Sequence, residues 1–376
     1  MERISALLQT FRDVAANPGK QLYQYKDEGK KAVGVFPYYA PEELVYAAGM
    51  VPFGVWGRQG TINKAKEYFA SFYCTIAQMN LEMGLTGALD GLSGVIVTTM
   101  CDTLRPLSQN FRVAVPQIPF MFLAHPQNRR PEYGITFTMA QYGKIKKQLE
   151  EIAGSPVTDE KLQNAIKIYN KSRAARRKFV KLAGLHPDVI SAVDRGAVLK
   201  SGYYQLKCQY TKLLDELNEE LEKLPVPKWG GVKVLTSGII VDNPALLKIF
   251  DENKIAIVAD DVAHESRSFD VDAPENETDP MRALALHFAA QDNDPLLYDP
   301  EIVKRPAHVV KKAKDTGAQG AVVFAMTFCD PEELEYPSLK KAFEEAGIPH
   351  IILGYDQQME DFGQARTQLQ AFAETI

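Results

Sequence analysis

GVIVTTMCDTLRPL, residues 94–107, has a counterpart late in the chain, GAVVFAMTFCDPEEL, residues 320–334. In each, a continuous apolar, β-branched run follows a glycine, the pattern of a strand covered on both faces. Each run ends in Cys-Asp, at Cys101-Asp102 and Cys329-Asp330. Each then opens a helix, with the aspartate placed to cap it. A further strand-like run follows in both, IPFMFLAHPQ (118–127) and IPHIILGYDQQ (348–358). Two strand tips thus present a thiol at equivalent places. Ligands of open α/β sheets gather beyond the carboxyl ends of the strands. The expectation is that Cys101 and Cys329 face each other and hold something.

Working outward from the first stretch, KKAVGVF (30–36) and MVPFGVW (50–56) read as strands flanking the helix APEELVYAAG (40–49), a βαβ unit. AKEYFASFYCTIAQMNLEMG (65–84) reads as one helix with Cys74 on its mixed apolar face, and PFMFLA (119–124) as another strand. Around the second stretch the same order returns. VKVLTSGII (232–240) and IAIVADD (255–261) flank the helix NPALLKIFDENK (243–254). RALALHFAAQ (282–291) then stands in the place of the Cys74 helix, and PSLKKAFEEAG (337–347) precedes the strand IILGY (351–355). Residues 138–223 carry no strand pattern and are rich in Lys, Arg and Glu at helical spacing, and LPVPKWGG (224–231) reads as a linker. The fold expected is α/β. Two Rossmann-like parallel-sheet domains, 1–137 and 229–376, are related by a pseudo-repeat, with a helical insert and linker at 138–228 between them. The two cysteine tips would line the cleft between the domains, where cofactors usually sit.

The chain has 376 residues, 45% apolar and 24% charged, an ordinary globular composition. Its net charge of −5 argues against general affinity for nucleic acid or anionic membrane. No apolar run reaches the roughly 18 residues that span a bilayer. The first residues, MERISALLQTFRDVAANPGK, form a charged amphipathic pattern without the apolar core of a signal peptide. A cytoplasmic protein is expected. There the four cysteines, Cys74, Cys101, Cys208 and Cys329, would be reduced thiols. No CxxC or Cys/His zinc spacing occurs, so any metal site must be assembled by the fold from distant positions.

Thiolates are soft ligands suited to iron–sulfur clusters, copper(I) or zinc. A 4Fe–4S cluster normally takes four cysteines. Three would leave one iron open to a substrate oxygen. The competing reading makes all four cysteines small buried apolar residues. Cys208, in the helical insert and outside the repeat, is read as core. Asp102 and Asp330 are read as helix caps. In HPQNRR (125–130), His125, Arg129 and Arg130 form a solvated loop, or else contact phosphate or carboxylate. The basic run RAARRKFVK (173–181) is read as a solvated helix face, or else a patch for an acidic partner or for the phosphates of a nucleotide-like handle. His186, His264, His287, His308 and His350 show no ligand spacing. No phosphate-cradling glycine loop and no nucleophile elbow stand in the required strand–helix context. The chain is therefore not expected to bind ATP or a dinucleotide by the usual loops.

AVGVFPYYAPEELVYAAGMVPFGVWG (32–57), SGVIVTTMCDTL (93–104), HPQNRR, VADDVAHESRSF (258–269), FCDPEELEYP (328–337) and GYDQQMEDFGQARTQLQAFAE (354–374) resemble the 2-hydroxyacyl-CoA dehydratase family. The likeness is to its smaller, β subunit, and most of all to members acting on (R)-2-hydroxyglutaryl-CoA. It covers nearly the whole chain. It implies an αβ heterodimer of anaerobic amino-acid fermentation, served by a separate ATP-hydrolysing iron–sulfur activator. It implies a 4Fe–4S cluster on Cys74, Cys101 and Cys329. It also implies water elimination through a ketyl radical anion, with substrate meeting the α subunit and this chain relaying the electron. Some members contain reduced flavin (FMN), and no motif here marks a place for it. The acyl group stays open among hydroxyglutaryl, lactoyl, phenyllactyl and hydroxyisocaproyl thioesters. The alternatives are a subunit of a benzoyl-CoA reductase-type enzyme, a double-cubane cluster reductase, which would need more cysteines, and a metal-free two-lobe binding protein.

Overall fold

The computed structural model describes residues 1–37, 39–297 and 305–376. In chain order the elements are α1 (Glu2–Ala16), α2 (Pro18–Asp27), β1 (Ala32–Phe36), α3 (Glu42–Ala47), β2 (Val51–Gly54), α4 (Thr75–Leu85), β3 (Leu92–Thr98), α5 (Leu104–Ala114), β4 (Phe120–Leu123), α6 (Glu132–Ala153), α7 (Asp159–Leu185), α8 (Ala192–Ser201) and α9 (Lys207–Glu222). The second half continues with β5 (Val232–Gly238), α10 (Pro244–Glu252), β6 (Ile255–Val262), α11 (Pro280–Ala289), α12 (Arg305–Asp315), β7 (Gly320–Met326), α13 (Asp330–Glu345), β8 (His350–Tyr355) and α14 (Gly363–Thr375).

The strands form two four-stranded sheets, ordered β2-β1-β3-β4 and β6-β5-β7-β8, and every pairing is parallel. The two orders are the same, so the chain folds as an α/β protein of two parallel-sheet lobes built on one topology. The cysteine-bearing strands β3 and β7 occupy the same inner position. Their residues are almost wholly buried because helices cover both faces, which is why they read as unbroken β-branched runs. In both sheets the order reverses between the first strand and the third, and a crevice opens there at the carboxyl ends.

The helices α6–α9 join the lobes. Their own core is a stripe on α9, Tyr210, Leu214, Leu217 and Leu221, packed with Phe179 of α7. The leading helix α1 adds Ile4, Leu7, Leu8 and Phe11 to that core. Gly54 lets this assembly close on the first sheet. A Cβ there would stand 2.7 Å from the Tyr203 Cβ, while the Gly54 N–H donates to the Tyr203 carbonyl at 2.9 Å.

Several elements differ from their sequence patterns. The helix expected over 65–84 is broken into a 3₁₀ turn, Lys64–Glu67, and α4, which starts only at Thr75. The cause is Glu82, whose buried carboxylate accepts from the N–H groups of Asn63 (3.1 Å) and Ala65 (2.8 Å) and folds the turn back onto α4. The helix expected from Pro337 begins instead at Asp330 and carries Pro337 in its interior. The stretch 282–291, expected to stand in for the Cys74 helix, yields α11, which packs on α6 and α7. The helix that packs on α13 as α4 packs on α5 is α12. The basic run of α7 is not a solvated face. Arg173, Arg176 and Phe179 point inward, because the charges share the helix with an apolar stripe. Only its outer side faces water, with Lys178 paired to Glu222 at 2.9 Å.

Candidate functional site

Cys101 lies three residues beyond Thr98, the end of β3, and Cys329 three beyond Met326, the end of β7. Each thiol therefore leaves its sheet at the same point of the repeat. Cys74 reaches them from the side, as the cap residue of α4 rather than a residue of its face. The Thr75 hydroxyl sits 3.4 Å from the Met326 sulfur, which fastens the start of α4 to the tip of β7. All three cysteines line one cleft of about 300 Å³. The carboxyl ends of β1, β3, β5, β6 and β7 supply walls to this cleft through Phe36, Met100, Ile239, Ala263 and Phe328.

Each of these cysteines stands at the start of a helix. Burial pushes the Cys74 thiol up to about 12, against the pull of the Ile76 and Ala77 N–H groups in the first turn of α4. Burial likewise raises Cys101, opposed by the N–H groups of Leu104 and Thr103, and raises Cys329 well above the usual thiol range, opposed by that of Glu332. Cys101 also raises Cys74, both of them raise Cys329, and Asp102 and Asp330 raise Cys101, as like charges in close quarters do. The site so placed has donors aimed at sulfur and, among the described residues, no cationic side chain on its wall. Among the described residues, thiolates there have no cationic side chain beside them.

The two aspartates are not caps. Thr103 holds the cap position of α5 and Cys329 that of α13, so Asp330 is already helical. Asp102 and Asp330 line the cleft instead, with Asp294 and Glu332. In the first turn of α13 the charge of Asp330 still suits the positive end of the helix. Phe328, just before Cys329, is non-glycine with φ of 61°. For a bulky side chain that conformation costs about 1–2 kcal/mol, and the fold imposes it at the turn that aims the thiol. No pattern in the sequence announces it.

The remaining candidates fall outside the cleft or are already engaged. Cys208 is exposed, not core, because it sits beside the buried stripe of α9. His125 is not solvated. Burial lowers it to about 3, so it stays neutral, tilted against Phe288 with ring centres 4.2 Å apart. Arg129 and Arg130 both pair with one carboxylate, Asp292, so they are held in an ion-pair group rather than standing in a solvated loop. Among the described residues no three His, Cys, Asp or Glu side chains converge tightly enough to share one metal ion.

These thiols have a chemical signature. In chain prepared without iron, iodoacetamide at pH 8 should label exposed Cys208 first and leave Cys74 almost untouched. A thiol with a pKa near 12 is about one part in 10⁴ thiolate at that pH, and thiolate is the reactive form. Peptide mass spectrometry over time reads the order. Labelling of Cys74 as fast as Cys208 would contradict this environment.

The family model for "2-hydroxyglutaryl-CoA dehydratase, D-component" matches residues 37–376. The chain belongs to this dehydratase family. It is 56% identical to the (R)-2-hydroxyglutaryl-CoA dehydratase β subunit of Acidaminococcus fermentans, covering 99% of this chain and all of that one. It is 44% identical to the (R)-phenyllactyl-CoA dehydratase β subunit of Clostridium sporogenes and 43% to the lactoyl-CoA dehydratase β subunit of Anaerotignum propionicum, over the full length of each. The chain is thus a β subunit of a 2-hydroxyacyl-CoA dehydratase, a hydro-lyase component with a partner subunit. That replaces the binding-protein and ring-reductase alternatives. Among its described residues no helix is long and apolar enough to cross a membrane.

Proposed function

We propose that Cys74, Cys101 and Cys329 hold a 4Fe–4S cluster, and that this dehydratase subunit handles the electron for dehydration of (R)-2-hydroxyglutaryl-CoA. The observation that carries the reading is the meeting of three thiols, from three helix starts, on one cleft at the ends of two sheets. The donor set fits such a group. In a cubane each thiolate bonds its own iron, so the sulfurs stand apart, unlike ligands crowding a single ion. Iron also supplies positive charge, which no described side chain of the cleft wall carries.

When bound, the cluster supplies a one-electron store with one iron uncommitted by protein. This chain's residues keep that store dry and fixed. The first turns of α4, α5 and α13 direct N–H groups at the sulfurs, and the buried Phe36 and Met100 exclude water. The reaction itself needs an electron because the β proton of a 2-hydroxyacyl thioester has no neighbouring carbonyl to acidify it. One electron on the thioester carbonyl gives a ketyl radical anion, which expels the α-hydroxyl. The β proton of the resulting enoxy radical is far more acidic. After its loss the electron is returned and the 2-enoyl-CoA leaves. In this reading the α subunit meets the substrate, a separate ATP-hydrolysing iron–sulfur activator delivers the electron, and the setting is the reducing cytoplasm. No residue is assigned to a flavin.

The test combines the anaerobically purified chain with its α subunit and activator. Dehydration of (R)-2-hydroxyglutaryl-CoA should depend on this chain and outpace that of lactoyl-CoA, with no ring reduction of benzoyl-CoA. A colourless chain free of iron and sulfide would end the cluster reading.

A further inference from the structure

Where the helices α6 and α7 meet both lobes, the structure holds a second, much smaller cavity of about 30 Å³, away from the three thiols. Its surroundings hold a group of buried charges. Arg173 pairs with Glu43, and Lys207 pairs with Glu42 at 3.1 Å. Arg176, 5% exposed, is the third cation. It packs over the Phe269 ring at 4.9 Å and, among the described residues, neither forms an ion pair nor donates a hydrogen bond. Three cations thus face two carboxylates. His287, on the same wall, is kept neutral by burial and adds no charge. The Nε atoms of Arg173 and Arg176 are both buried without an acceptor, and both residues line the cavity.

A guanidinium cannot escape burial by losing its proton. An isolated buried charge costs several kcal/mol or more unless something of opposite sign sits beside it. We infer that this cavity is a binding site for one halide-sized monoanion, chloride in the cell, held between the side chains of Arg173 and Arg176. The space admits one or two particles of water size and excludes an organic acid. Two unpaired N–H donors suit an anion and repel a cation. The anion closes the charge balance of the group and ties α7 to both lobes. This assignment does not depend on what the three cysteines hold.

The test uses the full-length chain, purified anaerobically into sodium gluconate buffer free of chloride. Gluconate is then replaced by chloride or bromide at constant ionic strength while thermal unfolding is followed. The wild-type midpoint should rise saturably, by roughly 2 °C or more. Arg176→Met and Arg176→Gln should show no such rise. Crystals of the wild-type chain, soaked at the saturating bromide concentration, should show one anomalous peak between the side chains of Arg173 and Arg176. This reading stands even where the variants fail to fold. Absence of that peak, with water alone in the cavity, overturns the assignment whatever the midpoint does.

Discussion

Changing Cys74, Cys101 or Cys329 singly to Ser should strip most of the iron and sulfide from the anaerobically purified chain, while Cys208→Ser keeps both. The three thiols share one cleft, so each change removes a third of the protein's donors. A serine hydroxyl is a hard, weakly acidic ligand and a poor substitute for thiolate on iron. Cys208 lies exposed on α9, remote from the cleft wall, and its loss removes nothing from the site. With the α subunit and activator present, each of the three variants should lose dehydration by more than ~100-fold, beyond what disturbing an outer-shell partner costs a metal site. Far-ultraviolet circular dichroism should stay unchanged, because Cys to Ser is nearly isosteric. Iron and sulfide analysis per chain decides the matter. A Cys208→Ser protein that loses iron like the others, or a member of the trio that keeps a full complement, refutes the proposed ligand set.

Arg267→Met should produce the largest loss of stability among substitutions outside the cleft wall. The Arg267 side chain is 1% exposed and reaches three carboxylates: Asp261 at 2.9 Å, Glu332 at 2.7 Å and Asp294 at 3.5 Å. Burial would raise the Asp261 carboxyl, yet Arg267 and Arg305 hold it below the ordinary range. Methionine fills much of the space but leaves those carboxylates short of a cation. Removing one partner of a buried pair typically costs about 3–5 kcal/mol. Denaturant unfolding of the intact chain measures it. The sign with pH follows from the depressed carboxyl. In the wild type the stability due to Asp261 is present above its unfolded pKa of 3.8 and is lost as pH falls through the lower folded value. The variant should therefore unfold at higher pH on acidification. Glu332 lies in the first turn of α13, so its release should also loosen Cys329 and lower the iron content. Arg267→Lys keeps the charge without the fork and should lose less. Adding Glu332→Gln to Arg267→Met should recover part of the loss. Wild-type stability in Arg267→Met would show that the network is dispensable.

Sequence by itself determined the lobes and two of the three thiols at the cleft. A strand buried on both faces must be an unbroken apolar run, so β3 and β7 announced themselves, and the Cys-Asp steps after them marked equivalent strand ends. Cys74, on a helix outside the repeated tips, stood as a third candidate, and the family likeness joined it to the other two. What the pattern could not carry was any contact between residues far apart in the chain. Glu82 capturing the Asn63 and Ala65 amides turned an apparent helix into a turn, and that moved Cys74 from a helix face to a helix start. Arg129 and Arg130 look like part of a solvated loop until Asp292 is found against them. Arg173 and Arg176 look solvated until the lobes close over α7. Local periodicity reports which side of an element is apolar. Only the tertiary structure decides which charges meet, because pairing energies depend on distances that sequence separation does not set.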